Sequence, residues 1–321
     1  MKAIVQDGYG SADVLHIRET DKPVITDDRV LLRVRAASVN AVDWHTVHGA
    51  LLIRLIGKLL RQPSFPVRGV DVAGEVEAVG KNVTRLRPGD EVFGIARGTF
   101  AEYATGLEER LLAKPPQLSF AQAATIGVAG ATALQGLRDK GQLKPGQRVL
   151  IYGAGGGVGT FAVQIAKALG AHVTAVTGTR NVDVIRSLGP DEVVDYTQDD
   201  VTRRPQRYDV ILDVAATRPL ADLRRVLTPN GRLVLAGAPK SGWLAVFAHL
   251  LFALVLSRFD RRVVFYVAAV SHDDLLFLKE LVIAEKLSPV IDRQYTLSEV
   301  PEAVGYLGSG QARAKVVINV A

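Results

Sequence analysis

The stretch Val149-Leu150-Ile151-Tyr152-Gly153-Ala154-Gly155-Gly156-Gly157-Val158-Gly159 constrains this chain more than any other. Its first four residues are an apolar run of the length of a buried parallel strand. Five glycines follow, and then residues 160–169 carry apolar positions at helical spacing up to a stop at Gly170. A strand, a turn stripped of side chains and a helix bring free backbone N–H groups and the positive helix end to one point, a site for a pyrophosphate. A second strand candidate at 172–177 completes a βαβ unit, the context that favours a dinucleotide loop over an ordinary glycine turn.

Around this unit the chain changes texture. Residues 1–120 are rich in short strand patterns, glycines and prolines, with strand candidates at 29–36 and 71–80 and a Pro88-Gly89-Asp90 turn leading into another. From 121 to 288 strands and helices alternate. The strand candidates are 149–152, 172–177, 192–196, 208–214, 232–236 and 263–268, with helical patterns at 181–188 and 220–227. Six such strands predict a doubly wound parallel sheet. Residues 289–321 return to strand character and are expected to rejoin the first part. The expected fold is α/β: a Rossmann domain (121–288) inserted in a discontinuous, mainly β, barrel-like domain (1–120 and 289–321).

The chain has 321 residues, of which 48% are hydrophobic and 22% charged, the balance of an ordinary globular protein of two domains. It contains no cysteine, which excludes disulfides, thiolate nucleophiles and cysteine-held zinc or iron–sulfur sites. The first residues read as a strand rather than a signal peptide, and a cytoplasmic location is expected. The formal net charge of +6 comes from scattered Lys and Arg, which points to a solvated surface rather than to nucleic-acid binding.

Several segments resemble the medium-chain dehydrogenases/reductases, in the zinc-free quinone oxidoreductase branch with GroES-like and Rossmann domains. They are Ser38-Val39-Asn40-Ala41-Val42-Asp43-Trp44, Gly69-Val70-Asp71-Val72-Ala73-Gly74, Arg87-Pro88-Gly89-Asp90-Glu91-Val92, Ala129-Gly130-Ala131-Thr132-Ala133-Leu134, the glycine loop and Ala314-Lys315-Val316-Val317. They keep the family's order across essentially the whole chain. Gly178-Thr179-Arg180-Asn181 and 187–193 are most similar to the chloroplast envelope members. The resemblance implies a reductase that delivers hydride to enones, alkenals or quinones and works as a homodimer.

In zinc-dependent relatives a cysteine stands at the position of Asn40 and a Gly-His-Glu at Gly69-Val70-Asp71. Neither is present here, nor is a four-cysteine lobe, so no metal is expected. His45 and His48 lie three apart but have no evident third ligand. Without a Lewis acid a plain ketone is hard to activate, whereas a conjugated acceptor spreads its charge onto a remote oxygen.

NAD enzymes place an acid at the end of the second strand of the fold. Here that strand ends Thr177-Gly178-Thr179-Arg180 without one, so the expected cofactor is NADPH. Arg180 is the expected 2′-phosphate ligand and Thr179 a neighbouring donor. By resemblance Tyr196 reaches the same phosphate, although Val182 replaces a lysine that many relatives use.

The remaining site expectations also follow from resemblance. Asn40 and Asp43 line the nicotinamide pocket; Thr132, Gly237 and Phe265 touch the cofactor, as do Gly153, Gly156, Gly157, Val158 and Gly159 of the loop. Lys315 reaches it from the other domain. Asn40 has a plainer alternative as the cap of a helix at 43–47. His45 matches a proton-relay histidine, but Val42 stands where the relay hydroxyl belongs. The apolar run 51–60 suggests a wall over the cleft for a small hydrophobic carbonyl or quinone. The run 243–256 is too short to span a bilayer and reads as a core or pocket helix, with weak peripheral membrane contact or a dimer surface as alternatives. Two other functions compete: a metal-assisted NAD(P) alcohol dehydrogenase and a non-catalytic NADPH-binding protein.

Overall fold

The computed structural model describes residues 1–49, 67–237, 260 and 262–320. The runs 51–60 and 243–256 lie outside the described residues. Two compact units are present: Met1–Val128 with Val270–Ile283 and Pro289–Ala321, and Ala129–Ala269 with Ala284–Ser288.

The first unit is built on a sheet of order β14-β15-β3-β4-β5-β7. Its strands are β3 (Arg29–Val39), β4 (Asp71–Val79), β5 (Glu91–Ile95), β7 (Leu111–Ala113), β14 (Ile291–Thr296) and β15 (Lys315–Asn319), and β6 (Tyr103–Leu107) pairs with β3. A short pair, β1 (Lys2–Gln6) and β2 (Leu15–Glu19), stands beside it. The late strand β15 pairs antiparallel with β3, Val316 opposite Val39 and Val317 opposite Ser38, so the end of the chain closes onto the first domain. Ile4, Val39, Phe100, Val316 and Ile318 form one core, and Val30, Leu32, Val72 and Val92 another. Burying such side chains contributes roughly 1.5–3 kcal/mol each. Helix α1 (Ala41–His48) follows β3 directly. Helices α2 (Phe120–Ala123) and α3 (Gly127–Leu134) follow β7.

The second unit carries six parallel strands in the order β10-β9-β8-β11-β12-β13. They are β8 (Arg148–Tyr152), β9 (His172–Thr177), β10 (Glu192–Asp195), β11 (Tyr208–Asp213), β12 (Leu227–Leu235) and β13 (Val263–Phe265). This is the doubly wound order expected of a Rossmann sheet. Helices α4 (Gly157–Ala168), α5 (Val182–Ser187) and α6 (Leu220–Arg225) connect strands. Strand β13 stops at Phe265, short of 268, and Tyr266 turns its hydroxyl onto the Thr132 carbonyl. The 181–188 helix begins one residue late, after a 3-10 turn over Thr179–Asn181. Helix α7 (His272–Ile283), expected in the nucleotide domain, groups with the first unit, where it packs on β7; α8 (Val300–Gly308) belongs there too.

Candidate active site and nucleotide cradle

The glycine loop is shaped by contacts that only glycine permits. Gly153 turns at φ +94°, and its N–H and that of Ala154 donate to the Val176 carbonyl of β9, at 3.2 and 2.9 Å. At Gly159, on the first turn of α4, a Cβ would lie 2.3 Å from the Gly153 oxygen, so glycine there lets helix and turn touch. Gly156 is the N-cap of α4, and a Cβ on it would meet nothing nearer than 3.7 Å, leaving the mouth of the loop open. The N–H groups of Gly157, Val158 and Gly159 start the helix and have no acceptor within it. They and the helix dipole can hold a pyrophosphate.

Sequence reasoning missed Asn181. Its amide lies over Gly155, where a Cβ would come within 2.3 Å of Nδ2 and 2.5 Å of Thr177 Oγ1, and its Oδ1 is buried without a partner. A side-chain-free cradle beside a buried unsatisfied acceptor fits a dinucleotide, whose hydroxyls can donate. The signal was a lone Asn at the start of a helical run, indistinguishable from an ordinary cap.

At the ends of β9 and β10 the fold brings Arg180 and Tyr196 near one another. Thr177 pairs with Asp195, the Tyr196 N–H donates to the Thr177 carbonyl at 3.0 Å, and the Tyr196 ring covers Gly178. Arg180 is exposed and has no ion-pair partner among the described residues. The Thr179 hydroxyl, expected as a neighbouring donor, gives its proton to Asp195 Oδ2 at 2.7 Å. Donors from Thr179, Thr197 and Gln198 hold the Asp195 carboxyl below the usual range.

Across the sheet edge, Gly237 sits against β11, its N–H donating to the Asp213 carbonyl at 3.1 Å, and Phe265 pairs with Leu235. Asp213 itself was missed. Its Oδ1 accepts the N–H groups of Ala215 and Ala216 at 3.1 and 2.9 Å, while Oδ2 is buried without a partner. Burial raises its pKa to about 6. The turn it holds packs against Gly153, so it positions the glycine loop. Thr132 lies in α3, where its carbonyl accepts from Tyr266.

In the first unit Asn40, Asp43, Asp71 and Lys315 converge from β3, α1, β4 and β15. Lys315 Nζ lies 2.6 Å from Asn40 Oδ1 and 3.2 Å from Asp71 Oδ2, with the lysine and aspartate side chains 3% and 0% exposed. Asp71 Oδ2 also accepts from Ser38 Oγ at 2.7 Å and Asn40 Nδ2 at 2.8 Å, and its Oδ1 accepts the Val128 N–H at the start of α3 at 2.8 Å. Lys315, expected to reach the cofactor, has its ammonium in an interior ion pair with Asp71. Asn40 likewise spends its amide on Ser38, Asp71 and Lys315. As N-cap of α1 it also donates its backbone N–H to Asp43 Oδ2 at 2.8 Å. Burial pushes the Asp43 carboxyl up to about 7, against the lowering effect of the Asn40 N–H. His45 is half-buried, with its ring edge-on to Trp44 at 4.9 Å.

This donor set does not suit zinc. Of the two positions that match the cysteine and histidine ligands, Asn40 holds an amide oxygen bound to the Lys315 ammonium and Val70 an apolar side chain with no donor atom. Among the described residues no three His, Cys, Asp or Glu side chains could hold a metal together.

Comparison with known proteins agrees with this architecture. Residues 26–117 match the model of an alcohol dehydrogenase GroES-like domain, and 188–318 that of a zinc-binding dehydrogenase. The quinone-oxidoreductase QR1 of Triphysaria versicolor, a chloroplastic protein, is 32% identical over 99% of this chain and 98% of its own. The chloroplastic NADPH-dependent alkenal/one oxidoreductase of Arabidopsis thaliana is 32% identical over 99% of this chain and 79% of its own. The structure of the quinone oxidoreductase from Coxiella burnetii superposes with a TM-score of 0.88 at 30% identity, covering 100% of this chain and 99% of that one. The cytoplasmic location expected from the sequence does not stand against these plant relatives, which are chloroplast proteins. The chain belongs to the quinone oxidoreductase-like branch of the medium-chain dehydrogenases/reductases, a family of nicotinamide-dependent oxidoreductases.

Proposed function

We propose that the protein is a zinc-free, NADPH-dependent reductase of α,β-unsaturated carbonyls and quinones. The observation that carries this reading is the buried Lys315 ammonium, bound to Asp71 and to Asn40, the residue at the position where zinc-dependent relatives place a cysteine ligand. A cation fixed there supplies no open coordination site, so the acceptor must be one that needs no Lewis acid. Bound NADPH supplies hydride to the β-carbon of such an acceptor.

The chain's own groups bind and orient. The first turn of α4 holds the pyrophosphate, Asn181 accepts a nucleotide hydroxyl, and Arg180 with Tyr196 takes the 2′-phosphate. Asp43 lines a cavity with Val42, Gly69 and Val70, and burial raises its pKa to about 7, so that part of its population carries a proton at neutral pH that an enolate can use. The names of the relatives support the substrate class, since they include a quinone oxidoreductase and an alkenal/one oxidoreductase.

The test is an oxidation assay with deuterium-labelled NADPH and NADH over enones, alkenals, quinones and saturated ketones. Deuterium at the β-carbon of the product, with NADPH preferred, is the expected result. Equal use of NADH refutes the cofactor assignment. Tight NADPH binding with no turnover of any acceptor refutes the catalytic reading.

A further inference from the structure

The first unit contains a cavity of about 280 Å³ whose wall is unusually basic. Arg29, Arg68, Arg97 and Arg110 line it, and among the described residues the only acidic side chain on its surface is Asp43. The topology explains the gathering. Strand β6 pairs with β3, setting Arg29 opposite Leu107, and bridges on its other side through Thr105 to Arg97. The turn after β6 then delivers Arg110.

Arg29, Arg68 and Arg110 meet little opposite charge among the described residues. Arg29 and Arg68 make no ion pair among the described residues, and Arg110 only reaches Glu109, exposed, at 3.9 Å. Arg68 is half-buried and held by the neutral Gln6 amide oxygen, and burial lowers its pKa in spite of the opposing charge of Asp43. A half-buried guanidinium beside a neutral acceptor is costly unless an anion completes it. The single carboxyl on the wall compensates only in part, because burial raises the Asp43 pKa to about 7 and its Oδ2 already accepts the Asn40 N–H.

We infer that the cavity takes the acidic end of the acceptor, a carboxylate or phosphoryl group set a short chain away from the conjugated carbonyl. This rests on the reductase reading and narrows its substrate class from neutral enones to acidic ones. Planar guanidinia grip carboxylates and phosphates in paired hydrogen bonds, whereas a neutral quinone gains nothing from them. Substrate specificity would then come from Arg29, Arg68 and Arg110, and reactivity from the conjugated carbonyl alone.

The test uses a matched pair, 4-oxopent-2-enoate and its methyl ester, with NADPH as donor. The acid is expected to exceed the ester about tenfold in kcat/KM, mainly through KM, the worth of one charge-assisted contact. The advantage shrinks with added salt, and the acid-to-ester ratio falls toward one in the Arg29→Gln/Arg110→Gln variant. Succinate and inorganic phosphate, tested as inhibitors competitive with the acceptor, separate the two anion types: the tighter binder identifies the group. Turnover of the ester with no advantage for the acid overturns the inference and leaves the reductase reading standing. No turnover of either compound, beside a neutral alkenal that is reduced, also overturns it. No turnover of all three overturns the reductase reading itself.

Discussion

The buried Lys315–Asp71 pair makes the sharpest demand on the structure. Replacing Lys315 with Met keeps most of the volume and removes the ammonium, leaving the Asp71 carboxylate at 0% exposure without a counter-charge. Removing one partner of a buried pair costs about 3–5 kcal/mol. Ser38, Asn40 and the Val128 N–H still donate to Asp71, which puts the expected loss near the low end, roughly 3 kcal/mol. For a domain of this size that corresponds to a fall in Tm of about 6–12 °C. Thermal unfolding followed by circular dichroism measures it. Adding Asp71→Asn removes the stranded charge and should restore at least half of the loss. A fall of less than about 1 kcal/mol in the single variant, or no recovery in the double, would refute the description of this cluster as a charge-neutralised core.

Four further outcomes follow from the same coordinates. Asp43 has its pKa raised from 3.8 to about 7, so the folded state binds its proton more tightly than the unfolded state. That contribution, roughly 4 kcal/mol at most, is fully present below pH 3.8 and is lost as pH rises through 7; Asp43→Asn should flatten this decline in urea titrations between pH 4 and 8. Arg180→Ala should raise KM for NADPH by about 10–100-fold and leave KM for NADH unchanged, the loss of a charge-assisted phosphate contact. Gly159→Ala should lose both stability and NADPH binding, because its Cβ would meet the Gly153 oxygen at 2.3 Å. Gly156→Ala, whose Cβ has 3.7 Å of room, should fold normally and weaken NADPH binding alone, as read by fluorescence titration.

The parts of the fold that the sequence displayed were those with local signatures. Strands β8, β9 and β11 are rich in Val, Ile and Leu or Thr and buried along almost their whole length, and the flanks of the glycine turn between β8 and α4 favour a dinucleotide loop over an ordinary turn. Strand ends were less legible. β13 stops at Phe265 because Tyr266 is drawn to the Thr132 carbonyl, 134 residues earlier in the chain, and no pattern in the 263–268 run records that contact.

The sequence marked several residues that the fold gathers, but not the partners they take. Asn40, Asp43 and Lys315 were all marked, yet Lys315 finds its partner in Asp71 across 244 residues of chain. A lysine in an apolar strand reads equally as a ligand-reaching side chain or as half of an interior pair, and only the register of β15 on β3 decides. Thr179 was marked as a phosphate donor from its neighbours in sequence, while its proton goes to Asp195 on the adjacent strand. Asp213 and Asn181 were invisible because their significance lies in unsatisfied buried oxygens, which burial and geometry alone define.

The central claim, conjugate reduction without a metal, is tested most directly by one measurement. The purified protein is treated with a strong zinc chelator, dialysed, and assayed for NADPH oxidation with an enone and with its saturated ketone. Undiminished enone reduction, with the ketone turned over far more slowly in both treated and untreated samples, is the predicted result. Loss of activity on chelation, restored by added zinc, would contradict the account.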